Sequence, residues 1–92
     1  MVNPMHRAAY ADFLRMLVAA RQDSGMTQTE VASQLGKPQS YVSKFERGER
    51  RLDLTEFLDV ASVMGIDAAV FVTEFLRARK RTARPGRRLA QD

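Results

Sequence analysis

Glycine places the tightest constraint on this chain. Gly25, Gly36, Gly48 and Gly65 each follow a short segment whose apolar residues recur with helical spacing, and glycine is the residue that most readily ends a helix in the left-handed conformation. The segments between them are therefore expected to be helices. The first runs from about Ala8 and turns Tyr10, Phe13, Leu14, Leu17 and Val18 to one side. Thr27 with Glu30 three positions later forms a capping box for a two-turn second helix, which buries Val31, Ala32 and Leu35. Pro38 suits the first turn of a third helix with Val42 and Phe45 inward. Asp53 with Glu56 repeats the capping pattern before the apolar Leu54, Phe57, Leu58, Ala61 and Met64 of a fourth helix, which Gly65 ends. Asp67 caps a fifth helix through about Lys80, and Arg84-Pro85-Gly86-Arg87-Arg88 cannot prolong it. No alternating strand pattern, repeat or hairpin dipeptide interrupts this series, so the fold class is all-α with five helices.

At 92 residues the chain has interior for one core. The expected division is a lead-in over 1–7, a folded domain over 8–80 and a basic tail over 81–92. The absence of cysteine excludes disulfides, thiolate catalysis and a cysteine zinc site, and the single histidine, His6, cannot build a metal cluster. No cofactor and no metal is expected. A reducing, cytoplasmic setting follows. The longest apolar run, Ala68 to Val72, covers five positions where a membrane span needs about twenty, and the first residues open no signal peptide. No membrane partner is expected.

Charge is unevenly spread. Residues 77–92 hold seven basic side chains against Asp92, a local balance of +6, so the other 76 residues carry −2. Within that acidic body, Lys37, Lys44, Arg47, Arg50 and Arg51 outweigh Glu46 and Glu49, whereas residues 53–76 have no Lys or Arg. A positive patch followed by a negative one points to an anionic partner for the former. The tail has three readings: a solubilising end, a nonspecific DNA arm, or a contact for anionic membrane.

Two charges fall on apolar stripes. Arg21 lies eleven positions after Tyr10, about 20° from it around the first helix, and Glu46 follows Val42 by four. A lone buried charge is costly, so the two are expected to meet in a structural ion pair. The alternative is that both reach back to solvent.

The segment Gln28 to Arg47 has the twenty-residue form of a helix-turn-helix. Ala32 is small enough for two helices to cross closely, and Gly36 tolerates the tight turn. Val31, Leu35, Val42 and Phe45 interlock beneath. The plainer reading is a helical hairpin that serves only the core.

Arg21 to Ile66 resembles the XRE family of DNA-binding domains, the five-helix, lambda-repressor-like fold of phage Cro and its relatives. The resemblance rests on Arg21 and Glu46, on Thr27-Gln28 opening the first motif helix, and on Phe45-Glu46-Arg47-Gly48 closing the second. It implies a sequence-specific regulator, expected to act as a repressor, whose recognition helix, here Pro38 to Arg47, lies in the major groove of double-stranded DNA. Gln39, Ser40, Ser43 and Lys44 would then face the bases. Gln39 suits adenine because its amide both donates and accepts, and Lys44 suits guanine or a phosphate. Phosphate contacts are expected from Gln28 at the start of the second helix, as the resemblance implies, and from Lys37, Tyr41, Arg47, Arg50 and Arg51. Tyr41 has the further option of packing on sugar or a thymine methyl, and Arg50 and Arg51 that of a solvated loop. Many relatives carry Ser or Thr where this chain has Lys37-Pro38, and Pro38 has no donor.

A single such motif covers little DNA. A homodimer on a near-palindromic operator is expected, with Phe71, Val72, Phe75 and Leu76 as its surface; the alternative places that whole stripe in the core. A protein partner, such as the toxin of a toxin and antitoxin pair, is the rival function, with the acidic stretch 53–76 facing it. Catalysis finds no support: His6 has no fixed partner, no serine sits in a nucleophile turn, Glu56 and Asp59 point outward, and no phosphate loop occurs.

Overall fold

The computed structural model describes residues 4–82. Five helices follow one another: α1 Pro4–Asp23, α2 Gln28–Leu35, α3 Gln39–Glu46, α4 Leu54–Met64 and α5 Ala68–Thr82. Among the described residues there is no strand. The first helix begins at Pro4, ahead of the Ala8 expected, as suits a residue whose fixed φ and missing N–H fit a first turn. Most of the basic tail, residues 83–92, lies outside the described residues.

The capping boxes close as the sequence implied. Glu30 N–H donates to Thr27 Oγ1 at 3.1 Å while Thr27 N–H donates to Glu30 Oε1 at 2.9 Å. Asp53 and Glu56 do the same for α4 at 2.7 and 2.9 Å. Asp67 accepts from Val70 N–H at 3.1 Å and starts α5. Pro38 corrects the expected register: it is not a helical residue but the extended cap before α3, with φ −71° and ψ 156°. Its ring supplies no acceptor, so α3 starts without a side-chain cap.

The turn between α2 and α3 depends on Gly36. Its φ of +71° lets Lys37 N–H reach Ala32 C=O at 2.9 Å and Gly36 N–H reach Ser33 C=O at 3.1 Å. These two bonds satisfy carbonyls that the end of α2 would otherwise leave open. The chain then reverses within two residues.

The core gathers Leu17 from α1, Val31 and Ala32 from α2, Val42 and Phe45 from α3, Phe57, Val60, Ala61 and Met64 from α4, and Phe71 from α5. Ala32 is fully buried at the contact of α2 with its neighbours, where a larger side chain would hold the helices apart. Phe13 stacks edge-on to Phe57, Phe71 and Phe75, with centroids 5.4, 5.9 and 6.0 Å away. Leu54 and Leu58 are 69% and 44% exposed, because α4 presents Phe57, Val60, Ala61 and Met64 to the core. One expectation is overturned here. Phe71 was read as dimer surface but is buried, held there by the Phe13 and Phe57 rings.

A Cβ added at Gly36 would meet nothing within 4 Å. Replacing Gly36 by alanine therefore introduces backbone strain and no clash, and the expected loss of stability is about 1–2 kcal/mol. Denaturant unfolding of Gly36→Ala beside Gly36→Asn checks this, the asparagine variant losing less.

Candidate nucleic-acid interface

The site is built outward from a part-buried ion pair. Arg21 Nε donates to Glu46 Oε2 at 2.7 Å and Nη2 to Glu46 Oε1 at 3.1 Å, with side chains 13% and 7% exposed. Arg21 Nη1 also donates to Met26 C=O at 2.9 Å, so the guanidinium ties α1 both to α3 and to the turn before α2. This two-point fork is the geometry in which arginine and carboxylate bind most strongly.

Glu46 carries the order one step further. Gln28 Nε2 donates to Glu46 Oε1 at 2.7 Å, and Gln39 Nε2 donates to Gln28 Oε1 at 2.7 Å. A continuous polar chain thus runs from Arg21 through Glu46 and Gln28 to Gln39, the exposed first residue of α3. Gln39 keeps its Oε1 and one N–H outside this chain. Those two groups are what an adenine edge in the major groove requires. Gln28 keeps a single amide N–H outside the chain. Sequence reasoning named all four residues yet missed that they form one relay. The available signal was the place of Gln28 and Gln39 at the first positions of adjoining helices, above the glutamate already expected to be buried.

Ser40 and Lys44 are exposed on the same short helix as Gln39, and Ser43 is half-buried. Arg47 Nη1 donates to Ser43 Oγ, which occupies a hydroxyl read from the sequence as facing bases. Arg47 also forms a two-point pair with Glu49, at 3.0 and 3.1 Å. That guanidinium holds the Glu49 carboxyl below its ordinary range. Arg50 is similarly engaged: Nη2 and Nη1 donate to Glu56 at 2.8 and 3.2 Å, and Nη1 to Arg51 C=O at 3.0 Å. Arg51 lies over the Tyr10 ring, its Cζ 4.3 Å from the centroid, while Leu52 N–H donates to Tyr10 Oη at 3.1 Å. The sequence showed these arginines as a basic run and did not show their anchors. Glu56 was visible only as the cap of α4.

Tyr41 is half-buried against Phe45, ring centroids 5.6 Å apart and nearly perpendicular. Lys37 Nζ and Arg50 Cζ lie over its ring at 5.3 and 4.7 Å. Burial first, then the carboxylate of Glu56, raises the pKa of its hydroxyl. Among the described residues no group of acidic and histidine side chains could hold a metal ion, and no helix is long and apolar enough to cross a membrane.

Comparison with known proteins agrees with this geometry. The family described as helix-turn-helix matches residues 17–71, which include the whole relay and the turn at Gly36. This chain belongs to the XRE-type helix-turn-helix family. It is similar to the solved structure of an XRE-family like protein from Pseudomonas syringae pv. tomato, at 42% identity and a TM-score of 0.78 over 80% of this chain and 90% of that one. It is also 30% identical over 69 residues to an uncharacterized HTH-type transcriptional regulator of Sinorhizobium fredii, covering 75% of this chain and 84% of the relative. The XRE-type family is a non-enzymatic, DNA-binding one.

The Glu56 carboxyl is lowered to about 2, first by the Arg50 hydrogen bond and then by Asp53 N–H. A carboxyl depressed by folding stabilises the native state above its unfolded pKa, near 4.5, and loses that contribution as pH falls through about 2. Glu56→Gln should thus lower stability at pH 6–7 and flatten its fall across acid pH. Urea unfolding of both proteins at several pH values between 2.5 and 7 reads the difference, and parallel curves would count against the assignment.

Proposed function

We propose that this protein is a transcription regulator that binds double-stranded DNA by placing α3 in the major groove, and that it represses from a near-palindromic operator as a homodimer in the cytoplasm. The observation that carries the reading is Gln39: exposed at the start of α3, oriented by Gln28, with one donor and one acceptor outside the relay. An amide fixed in the free protein needs little reordering to read a base edge. Ser40 and Lys44 extend the reading face, and Ser43 joins it where Arg47 releases its hydroxyl.

Lys37, Arg47, Arg50 and Arg51 would supply the phosphate contacts on either side of α3, and Gln28 a further one. Exposed ion pairs are weak and screened, so phosphates can displace Glu49 from Arg47. The Sinorhizobium fredii relative is named an HTH-type transcriptional regulator, which supports regulation over other uses of the motif.

For the dimer, Phe71 is taken by the core and Phe75 is half-buried beside Phe13, which leaves Val72 and Leu76, 40% and 53% exposed one turn apart on α5. A two-fold pairing through them would serve half-sites about 34 Å apart. A second reading, an antitoxin-like module with a protein partner, draws on exposed Leu54 and Leu58 in the acidic stretch. Copurification of a second small protein separates it from the first.

Selection of bound duplexes from a random pool, at fixed salt, tests the main reading. The native protein should return two related half-sites, and Gln39→Ala should lose preference at one or two base pairs of each, a loss of about 1–3 kcal/mol per pair. An unchanged motif with Gln39→Ala would remove glutamine from the reading face.

A further inference from the structure

We propose that Tyr41 is a positioning residue that gathers Lys37 and Arg50 into a paired phosphate clamp beside α3; the proposal rests on the DNA-binding reading above. Lys37 comes from the turn before α3 and Arg50 from the segment after it, thirteen positions later. Both cations lie over one ring, at 5.3 and 4.7 Å from its centroid. They are therefore at most about 10 Å apart, within the span of phosphates one to three steps apart on one strand, at an axial advance of about 3.4 Å per step.

The ring is placed by the core and not by solvent. Its edge-on contact is with Phe45, which is fully buried. The negative face of an aromatic ring attracts lysine and arginine, so a ring fixed in this way fixes the cations it attracts. Glu56 adds a second tether on Arg50 without exhausting it. The bonds to Glu56 and Arg51 leave the Nε–H and one Nη2–H of the guanidinium for an anion. Glu56 offsets part of the charge of this pair, and a phosphate set against the remaining N–H groups of Arg50 and the Lys37 ammonium would offset the rest. Tyr41 acts on affinity through its ring, whereas the sequence pointed to a direct contact through its hydroxyl.

The test compares native protein, Tyr41→Phe and Tyr41→Leu on one selected duplex between 50 and 200 mM salt. Tyr41→Phe should bind within about twofold of native with the same salt dependence. Tyr41→Leu should bind several-fold to tenfold more weakly at low salt, and its plot of log K against log salt should flatten by about one to two. Base preference at the positions read by Gln39 should persist in both. A native slope in Tyr41→Leu overturns the proposal, as does an equal loss in Tyr41→Phe, which would make the hydroxyl the contact. If Tyr41→Leu does not fold, Lys37→Gln and Arg50→Gln replace it: each should flatten the slope by about one, and unchanged slopes overturn the clamp. Failure of native protein to bind any duplex would instead sink the underlying reading.

Discussion

The ion pair between Arg21 and Glu46 holds the structure in its working geometry. Both groups are nearly removed from water, and leaving one without the other costs about 3–5 kcal/mol in comparable buried pairs. That penalty excludes any arrangement of α1 and α3 that separates them. Because Arg21 also binds the Met26 carbonyl and Glu46 also binds Gln28, the same constraint fixes how α2 enters and where its first side chain points. Gln39 inherits its direction, through Gln28, from the pair of Arg21 and Glu46.

Rigidity of this kind has a functional use. A long polar side chain free in solution loses rotamer freedom when it engages a base, and that loss subtracts from affinity. Gln39 is already hydrogen-bonded to Gln28, which is already bonded to Glu46. The basic groups around α3 are organised in the same sense. Arg47 leans on Glu49, Arg50 on Glu56 and Tyr41, and Arg51 on Tyr10. A count of positive residues thus overstates the charge the surface offers, and the carboxylates keep a nonspecific polyanion from binding as tightly as the count suggests.

Much of this was legible in the residues themselves. Helix ends are written locally, in Thr27 with Glu30, Asp53 with Glu56 and the glycines that follow the first four helices, because caps and turns act over three or four positions. Arg21 and Glu46 were legible because a charge on an apolar stripe has few acceptable partners. What could not be read depends on choices made in three dimensions. The apolar residues of α4 span more than one face, so periodicity could not say that Phe57 and Val60 would be chosen over Leu54 and Leu58. Phe71 could not be sorted from Val72 until Phe13 supplied the ring it packs on. Pro38 fitted the first turn of a helix as well as the residue before one, and the two-residue reversal after Gly36 decided between them.

The claim on which the account stands is that the polar relay presents Gln39, and with it α3, to a DNA duplex. The most direct measurement is a nuclear magnetic resonance titration with a double-stranded oligonucleotide, following the side-chain amides of Gln28 and Gln39 and the backbone amides of residues 39–44. The account predicts that the two side-chain amides are hydrogen-bonded in the free protein and shift together with the α3 backbone as duplex is added. Unmoved signals there, with the response confined to α4 and α5, would contradict it.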